Sequence, residues 1–426
     1  MQKRLAAEET RDARFDAIAD PGVREAVGNF YRAFYDPEKL IRWWAGLYDP
    51  DLGGFYYADS ARDHKGFLPD MESTYQILWR LSDFIPDLPA FLGPEITRKI
   101  VRFFQTKQDP ADGYFYHPQW TREASRKNVM RYTRDQDWAI FVLGWLGAKP
   151  LYPTAIDRAR KDGGKARAYT GWEPNPASVT AFLENQFAET SCEHWANQIE
   201  TRAMTFKAEG LLDTVLDLLD RTVNPDFGLW VKGYDGATDT YVNLKGASET
   251  PYGLFTNAYK IAKTYNIGGR RFPYPEKTVA NAIKAIKSRD PGARITYIFN
   301  PWATLGNVRE NLVRFGTPAE VATYDRMIRD NVLEMVDALG SSLGIYKHAD
   351  GSYSYLPSGC SSPTIYGTPV SLGLNEGDVN GNNLAVLCAT HICTAIGLPE
   401  MIPIFGKEHA RLMRDLLDRA PKIVKK

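Results

Sequence analysis

Acidic side chains gather at four places in this chain, each time mixed with hydroxyls, amides or a cation. The runs are Pro69-Asp70-Met71-Glu72-Ser73-Thr74, Arg131-Tyr132-Thr133-Arg134-Asp135-Gln136-Asp137-Trp138, Lys245-Gly246-Ala247-Ser248-Glu249-Thr250-Pro251-Tyr252 and Asn375-Glu376-Gly377-Asp378-Val379-Asn380. Two carboxylates facing one sugar bond can act as acid and base when burial raises the pKa of one of them. Asp70, Asp135, Asp137, Glu249 and Glu376 are the candidates for that work, with Glu72 and Asp378 beside them. Arg134 and Lys245 would read an acidic group, arginine bidentately. Tyr132, Trp138, Tyr252, Trp302 and Tyr353 offer ring faces to stack on or position a sugar. Capping explains part of the pattern, because Asp or Ser ahead of a helix binds its free N–H groups. It does not explain several acids with Arg, Tyr and His at so many junctions.

The same clusters hold the parts for a second chemistry. Removal of a proton next to a carboxyl group needs a Tyr or His base, with Asn or Arg to neutralise the acid. Tyr132, His194, His348, Tyr353 and Asn380 are of the right types. Epimerisation by proton transfer often uses two histidines, and His117, His194 and His348 are the candidates among six. No metal is expected: there is no His-Glu-x-x-His or Cys/His cluster, and Asp378-x-Asn380-x-Asn382 is only the first half of a calcium loop. Phosphate-loop, dinucleotide and Gly-x-Ser-x-Gly patterns are missing too, so no cofactor is expected.

These clusters need a scaffold, and a repeat supplies one. A turn rich in Asp or Pro, then glycine, then an aromatic or large apolar residue, recurs along the chain. It reads Asp49-Pro50-Asp51-Leu52-Gly53-Gly54-Phe55-Tyr56, Asp109-Pro110-Ala111-Asp112-Gly113-Tyr114-Phe115-Tyr116 and Asn224-Pro225-Asp226-Phe227-Gly228-Leu229-Trp230, with a weaker copy at Ser342-Leu343-Gly344-Ile345-Tyr346. Glycines 54, 113, 228 and 344 fit a period near 58 residues with two degenerate copies, near Gly171-Trp172 and Asp290-Pro291-Gly292. Before each turn runs a striped amphipathic helix, as in Pro94–Lys107, Glu209–Arg221, Lys277–Lys287 and Glu320–Leu339. After it runs a helix apolar on most sides, as in Thr74–Leu81, Asp137–Leu146, Tyr252–Ala262 and Leu384–Ile396, and such helices are buried. Outer and inner helices alternating six times describe an all-α (α/α)6 toroid, with short extended arms at its rim. We expect a single domain over 21–420 after an N-terminal extension of 1–20. Inner helices that all point one way would bring their N-terminal ends, and the acidic clusters, to one mouth.

Composition narrows the partners. Lys plus Arg and Asp plus Glu both number 52, and zero formal charge argues against nucleic acid as a general partner. Cys192, Cys360, Cys388 and Cys393 form no Cys-x-x-Cys pair and read as buried thiols. The first fifteen residues hold no apolar core of a signal peptide, and no apolar run reaches the length of a membrane span. The expected location is cytoplasmic, or periplasmic or secreted if a signal peptide preceded this numbering.

Trp43-Trp44, then Asp51-Leu52-Gly53-Gly54-Phe55-Tyr56, then a helix at Asp70, is similar to the first hairpin of epimerase-type toroids. The chain as a whole resembles the six-hairpin carbohydrate-active enzymes. These include unsaturated glucuronyl hydrolases and other (α/α)6 glycosidases, the toroid domains of heparinase-like lyases, and acylglucosamine epimerases. The chain departs from the epimerases in its histidines and from the lyases in lacking an all-β C-terminal domain. The resemblance implies a sugar-binding funnel and, most simply, a glycoside hydrolase acting on an oligosaccharide that contains uronic acid. A uronate lyase, a sugar epimerase and a non-catalytic carbohydrate-binding toroid are the alternatives.

Overall fold

The computed structural model describes residues 11–117, 119–127, 129–154, 157–158, 172–289, 292–362 and 369–425, without the side chains of 11–13, 126–127 and 129–133. The chain is mostly helical. Sheet is confined, among the described residues, to one antiparallel three-stranded arm: β1 (Val231–Asp235), β2 (Thr240–Asn243) and β3 (Ser248–Glu249), in that order.

The outer helices start on a short written signal. Asp20-Pro21, Asp36-Pro37, Asn175-Pro176 and Thr317-Pro318 each put a capping side chain before a proline at the first helical position. Each cap accepts the N–H three residues on, for example Val23 N to Asp20 Oδ1 at 3.0 Å and Ser178 N to Asn175 Oδ1 at 2.9 Å. The stripe read over Pro94–Lys107 belongs to a longer helix, Leu88–Gln105, kinked where Gly93 takes φ +67°. The stripe over Glu320–Leu339 is two helices, Pro318–Arg329 and Val332–Leu343, parted at Asp330-Asn331.

Six helices, here called inner, are buried over much of their described length. They are Met71–Ser82, Val129–Trp145, Cys192–Ala208, Pro251–Gly268, Ile295–Phe315 and Val379–Ala395. Each packs on the next in chain order, and the sixth packs on the first. One continuous hydrophobic core runs from Ile18 to Leu417 through all of them. Two residues of the stretch read as an N-terminal extension join it: Phe15 meets Tyr31 edge-on at 5.3 Å, and Ile18 is buried. The four cysteines are free and buried.

The glycine turns are real, with two changes of register: the first turns on Gly53 and not Gly54, the fourth on Gly351 and not Gly344. Asp49, Asp109 and Asn224 each exchange backbone hydrogen bonds across the turn with the residues four and five on. Their side chains hold the loop from within, as in Asp51 N and Leu52 N to Asp49 Oδ1, both at 2.9 Å. The left-handed residues are Gly53, Gly113 and Gly228, at φ +79°, +78° and +64°. The fourth turn is built not on Gly344 but on Gly351, at φ +87°, with His348 N bonded to Ser352 O. Gly344 lies in a short 3-10 turn at the end of Val332–Leu343. Of the degenerate copies, Gly171, Asp290 and Pro291 lie outside the described residues.

The arms are pinned to the inner helices in a repeated way. Asp70 N donates to Phe55 O at 2.9 Å, and Phe55 N donates back to Thr74 Oγ1 at 2.9 Å. Asp378 N donates to Tyr353 O at 2.9 Å, and Tyr353 N to Asn382 Oδ1 at 3.2 Å. Gln136 takes the same part in the second arm, accepting from Phe115 N at 3.3 Å. In the arms of Phe55 and Tyr353 the cap residue and the residue four on thus lock the aromatic arm residue to its helix. No helix among the described residues is long and apolar enough to cross a membrane.

Candidate functional site

The inner helices carry polar stripes on faces that meet each other. Tyr75 stacks on Trp138 with ring centroids 5.7 Å apart, joining the first inner helix to the second. Arg134 Nη2 donates to Asn197 Oδ1 at 3.2 Å, joining second to third. Lys263 Nζ lies 2.5 Å from Glu200 Oε1, joining third to fourth. Tyr259 meets Phe299 edge-on at 5.5 Å, and Phe299 meets His391 at 5.0 Å, reaching the fifth and sixth. Burial drives the His391 imidazole down to about 3, helped by the charges of Arg80 and Lys263; Arg80 brings the circuit back to the first helix.

Charge runs through this circuit from the helix N-termini downwards. At the N-terminal level, Arg294 Nη1 sits 3.0 Å from Glu193 Oε2. Asn243 Nδ2 donates to Glu249 Oε1 at 2.9 Å, and Glu249 and Glu193 both act on the Tyr297 hydroxyl, whose pKa burial has already raised. Glu200 stands two turns below Glu193 on the same helix, about 10 Å along its axis. Burial works to raise the Glu200 carboxyl, but Lys263 and Arg134 overcome it and hold it at about 2. Asp137 feels the reverse balance: burial pushes it up to about 6, with Arg134 opposing and Glu200 assisting. Burial also lowers the Lys260 ammonium to about 8, against the pull of Glu193. Lys263 remains 48% exposed at its side chain and Phe141 is 50% exposed, so solvent reaches this face of the inner helices. Phe141, Trp145 and Trp138 gather round Tyr75, making an aromatic wall beneath the charges.

The residues singled out from the sequence distribute unevenly around this circuit. Arg134, Asp137 and Trp138 are in it, and Glu249 is at its N-terminal end. The helix that bears the first three begins at Val129, not at Asp137, so they sit about two turns inside rather than at a junction. Asp70 and Asp135 are both buried and share a different partner, the ammonium of Lys107 at the end of Leu88–Gln105. Asp70 is also a working cap, accepting from Ser73 N at 3.1 Å. Glu376 Oε2 accepts from Ser60 N at 2.9 Å, near Asp59 and Arg62. Asn380 accepts from Gln76 Nε2 at 3.4 Å, across the first and sixth inner helices.

Other expectations meet side chains already engaged elsewhere. The Tyr252 hydroxyl donates to Ile286 O of an outer helix at 3.1 Å. The Tyr353 hydroxyl donates to Phe34 O, also on an outer helix. Trp302 is wholly buried in the core. Lys245 is exposed in the turn between β2 and β3. His194 is exposed and shares a hydrogen bond with Gln198 at 3.2 Å. His348 serves the fourth glycine turn through its backbone. The side chain of Tyr132 lies outside the described residues. The buried Asp378 carboxylate accepts from Gly381 N, Tyr355 N and Ser361 N, and Asn382 is spent on the arm, so the calcium-like spacing is structural.

The junction Glu189–Trp195 read from the sequence includes Glu193, but sequence reasoning passed over Glu200, Lys260, Lys263 and Arg294. A signal was there: Glu193, Asn197 and Glu200 are spaced i, i+4, i+7, and Asn257, Lys260 and Lys263 continue the same kind of stripe on the next inner helix. Among the described residues no group of three His, Cys, Asp or Glu is placed to hold a metal ion. Comparison with protein-family profiles, with curated proteins and with solved structures finds no match for this chain.

Proposed function

We propose that the six inner helices close an (α/α)6 toroid, and that its interior hydrolyses a glycosidic bond in an oligosaccharide containing uronic acid. The sequential packing of the inner helices, with the sixth returning to the first, supports the toroid. One observation carries the chemistry: Asp137 and Glu200 share the interior, and their surroundings push their pKa values in opposite directions. Two carboxyl groups so divided are suited to different roles. Asp137, held near 6, is protonated at mildly acid pH and gives its proton to the leaving oxygen. Glu200 stays ionised and stabilises the positive charge that develops on the sugar ring, while water bonds to the anomeric carbon and its lost proton restores that given up by Asp137. Tyr75 and Trp138 offer the stacking surface, and Arg134 with Lys260 faces the substrate carboxylate.

A panel of uronate-containing oligosaccharides tests the proposal. Release of reducing ends without an unsaturated, ultraviolet-absorbing product supports it. An unsaturated product would instead show a lyase, and sugar affinity without turnover a binding protein.

A further inference from the structure

A cleft of about 830 Å³ lies between the first two glycine turns and the outer helix Leu88–Gln105, and none of the charged residues of the interior circuit lines it. That volume suits a small molecule. The helix lays Arg98, Lys99 and Arg102 along the cleft, and Lys107 and Arg122 complete the cations. Three of the five are already answered. Lys99 Nζ sits 2.9 Å from Glu95 Oε1, and Arg122 pairs with Asp109. Lys107 Nζ donates to Phe103 O at 2.6 Å and has Asp70 and Asp135 behind it.

Arg98 and Arg102 are less engaged: among the described residues no carboxylate stands within ion-pair distance of either, and Arg98 shares only the longer-range field of Glu95, whose carboxylate is bound to Lys99. They are one helical turn apart, where like charges repel and cost helix stability. Leu52, Leu68 and Tyr116 form an apolar wall to the same cleft. Asp51 also lines it, and opposes any anion that enters.

We propose that this cleft binds a small organic phosphate, its dianion between Arg98 and Arg102 and its organic body against Leu52, Leu68 and Tyr116. Two guanidinium groups balance a divalent phosphate, and their forked donors match its oxygens. A single carboxylate would balance only one of them. The hydrolysis proposed above makes no use of this cleft, so either idea can fail without the other.

Calorimetric titration of the full chain with glucose 6-phosphate, inorganic phosphate and glucose, at low ionic strength, tests it. The wild type is expected to bind both phosphates at one site and to ignore glucose. The R98A/R102A variant should bind at least tenfold more weakly with an unchanged far-ultraviolet circular dichroism spectrum, since both side chains are exposed. D51N should bind more tightly. R326A/R329A, which removes the same charge from exposed positions on another outer helix, should bind as the wild type does. Absence of saturable phosphate binding, full binding by R98A/R102A, or an equal loss in R326A/R329A would overturn the proposal.

Discussion

Lys263 and Glu200 meet at 2.5 Å across two neighbouring inner helices, with Glu200 nearly closed off and Lys263 half open to solvent. The pair sets the electrostatics of everything around it. With Arg134, Lys263 holds the Glu200 carboxylate ionised against burial; that retained charge in turn helps raise Asp137. Removing the ammonium by Lys263→Met should therefore cost stability, by about 2 kcal/mol for a hydrogen bond to a charged group. Adding Glu200→Gln should restore part of the loss, because the orphaned charge goes too. A thermal double-mutant cycle measures this, and additive losses would show that the two residues do not interact.

Asp137 should impose a pH dependence of definite sign. Its folded pKa of about 6 lies above the unfolded value of about 3.9. Between those values the folded state holds a proton that the unfolded chain releases, so stability falls as pH rises from about 4 to about 6. Asp137→Asn should flatten that segment of the curve. Glu200 works the other way. Its contribution is full above the unfolded value near 4.3 and is lost progressively as pH falls from there towards about 2. Denaturant midpoints measured at intervals from pH 3 to 8 separate the two residues.

Asp378 carries more than a cap. It holds Gly381 N in its helix and also Tyr355 N and Ser361 N in the loop before it. Asp378→Ala, which strands three buried donors, should cost about 3 kcal/mol or more. Asp20→Ala, which removes the cap of an outer helix, should cost about 1 kcal/mol. Thermal melts check the order, and equal losses would contradict it.

Gly53 needs its conformation and its missing side chain alike. At φ +79° an L residue is strained, and a Cβ there would come within 2.5 Å of the Lys99 backbone carbonyl. Gly53→Ala should destabilise the fold by about 2 kcal/mol from the backbone alone. Gly144→Ala, where a Cβ meets nothing within 4 Å, should not destabilise it. Equal melting temperatures for the two variants would rule out the turn geometry described here.

The sequence makes some of this legible for clear physical reasons. A glycine turn needs a left-handed residue and leaves it visible, which is why Gly113 and Gly228 align directly. The fourth copy is misread because Gly344 happens to precede a tyrosine, while Gly351 sits in the shorter turn His348–Ser352. The outer helices show themselves through their stripes. The third and fifth inner helices, Cys192–Ala208 and Ile295–Phe315, show little, because inward polar residues break the apolar pattern that marks a buried helix. Glu200 is one of those inward residues and stays hidden with its helix, while Lys263 lies one residue past Tyr252–Ala262, the part of the fourth inner helix that its apolar pattern marks. Acidic residues at helix starts are conspicuous, yet capping uses several of them, Asp70 and Asp378 foremost.

The proposed role of Asp137 as the acid of a glycosidase is tested most directly by kcat/KM for Asp137→Asn against wild type. On an oligosaccharide that the wild type hydrolyses, the variant should lose at least a hundredfold, while the wild-type rate falls as pH rises through about 6. A variant that turns over as fast as the wild type, with the same pH profile, would contradict it.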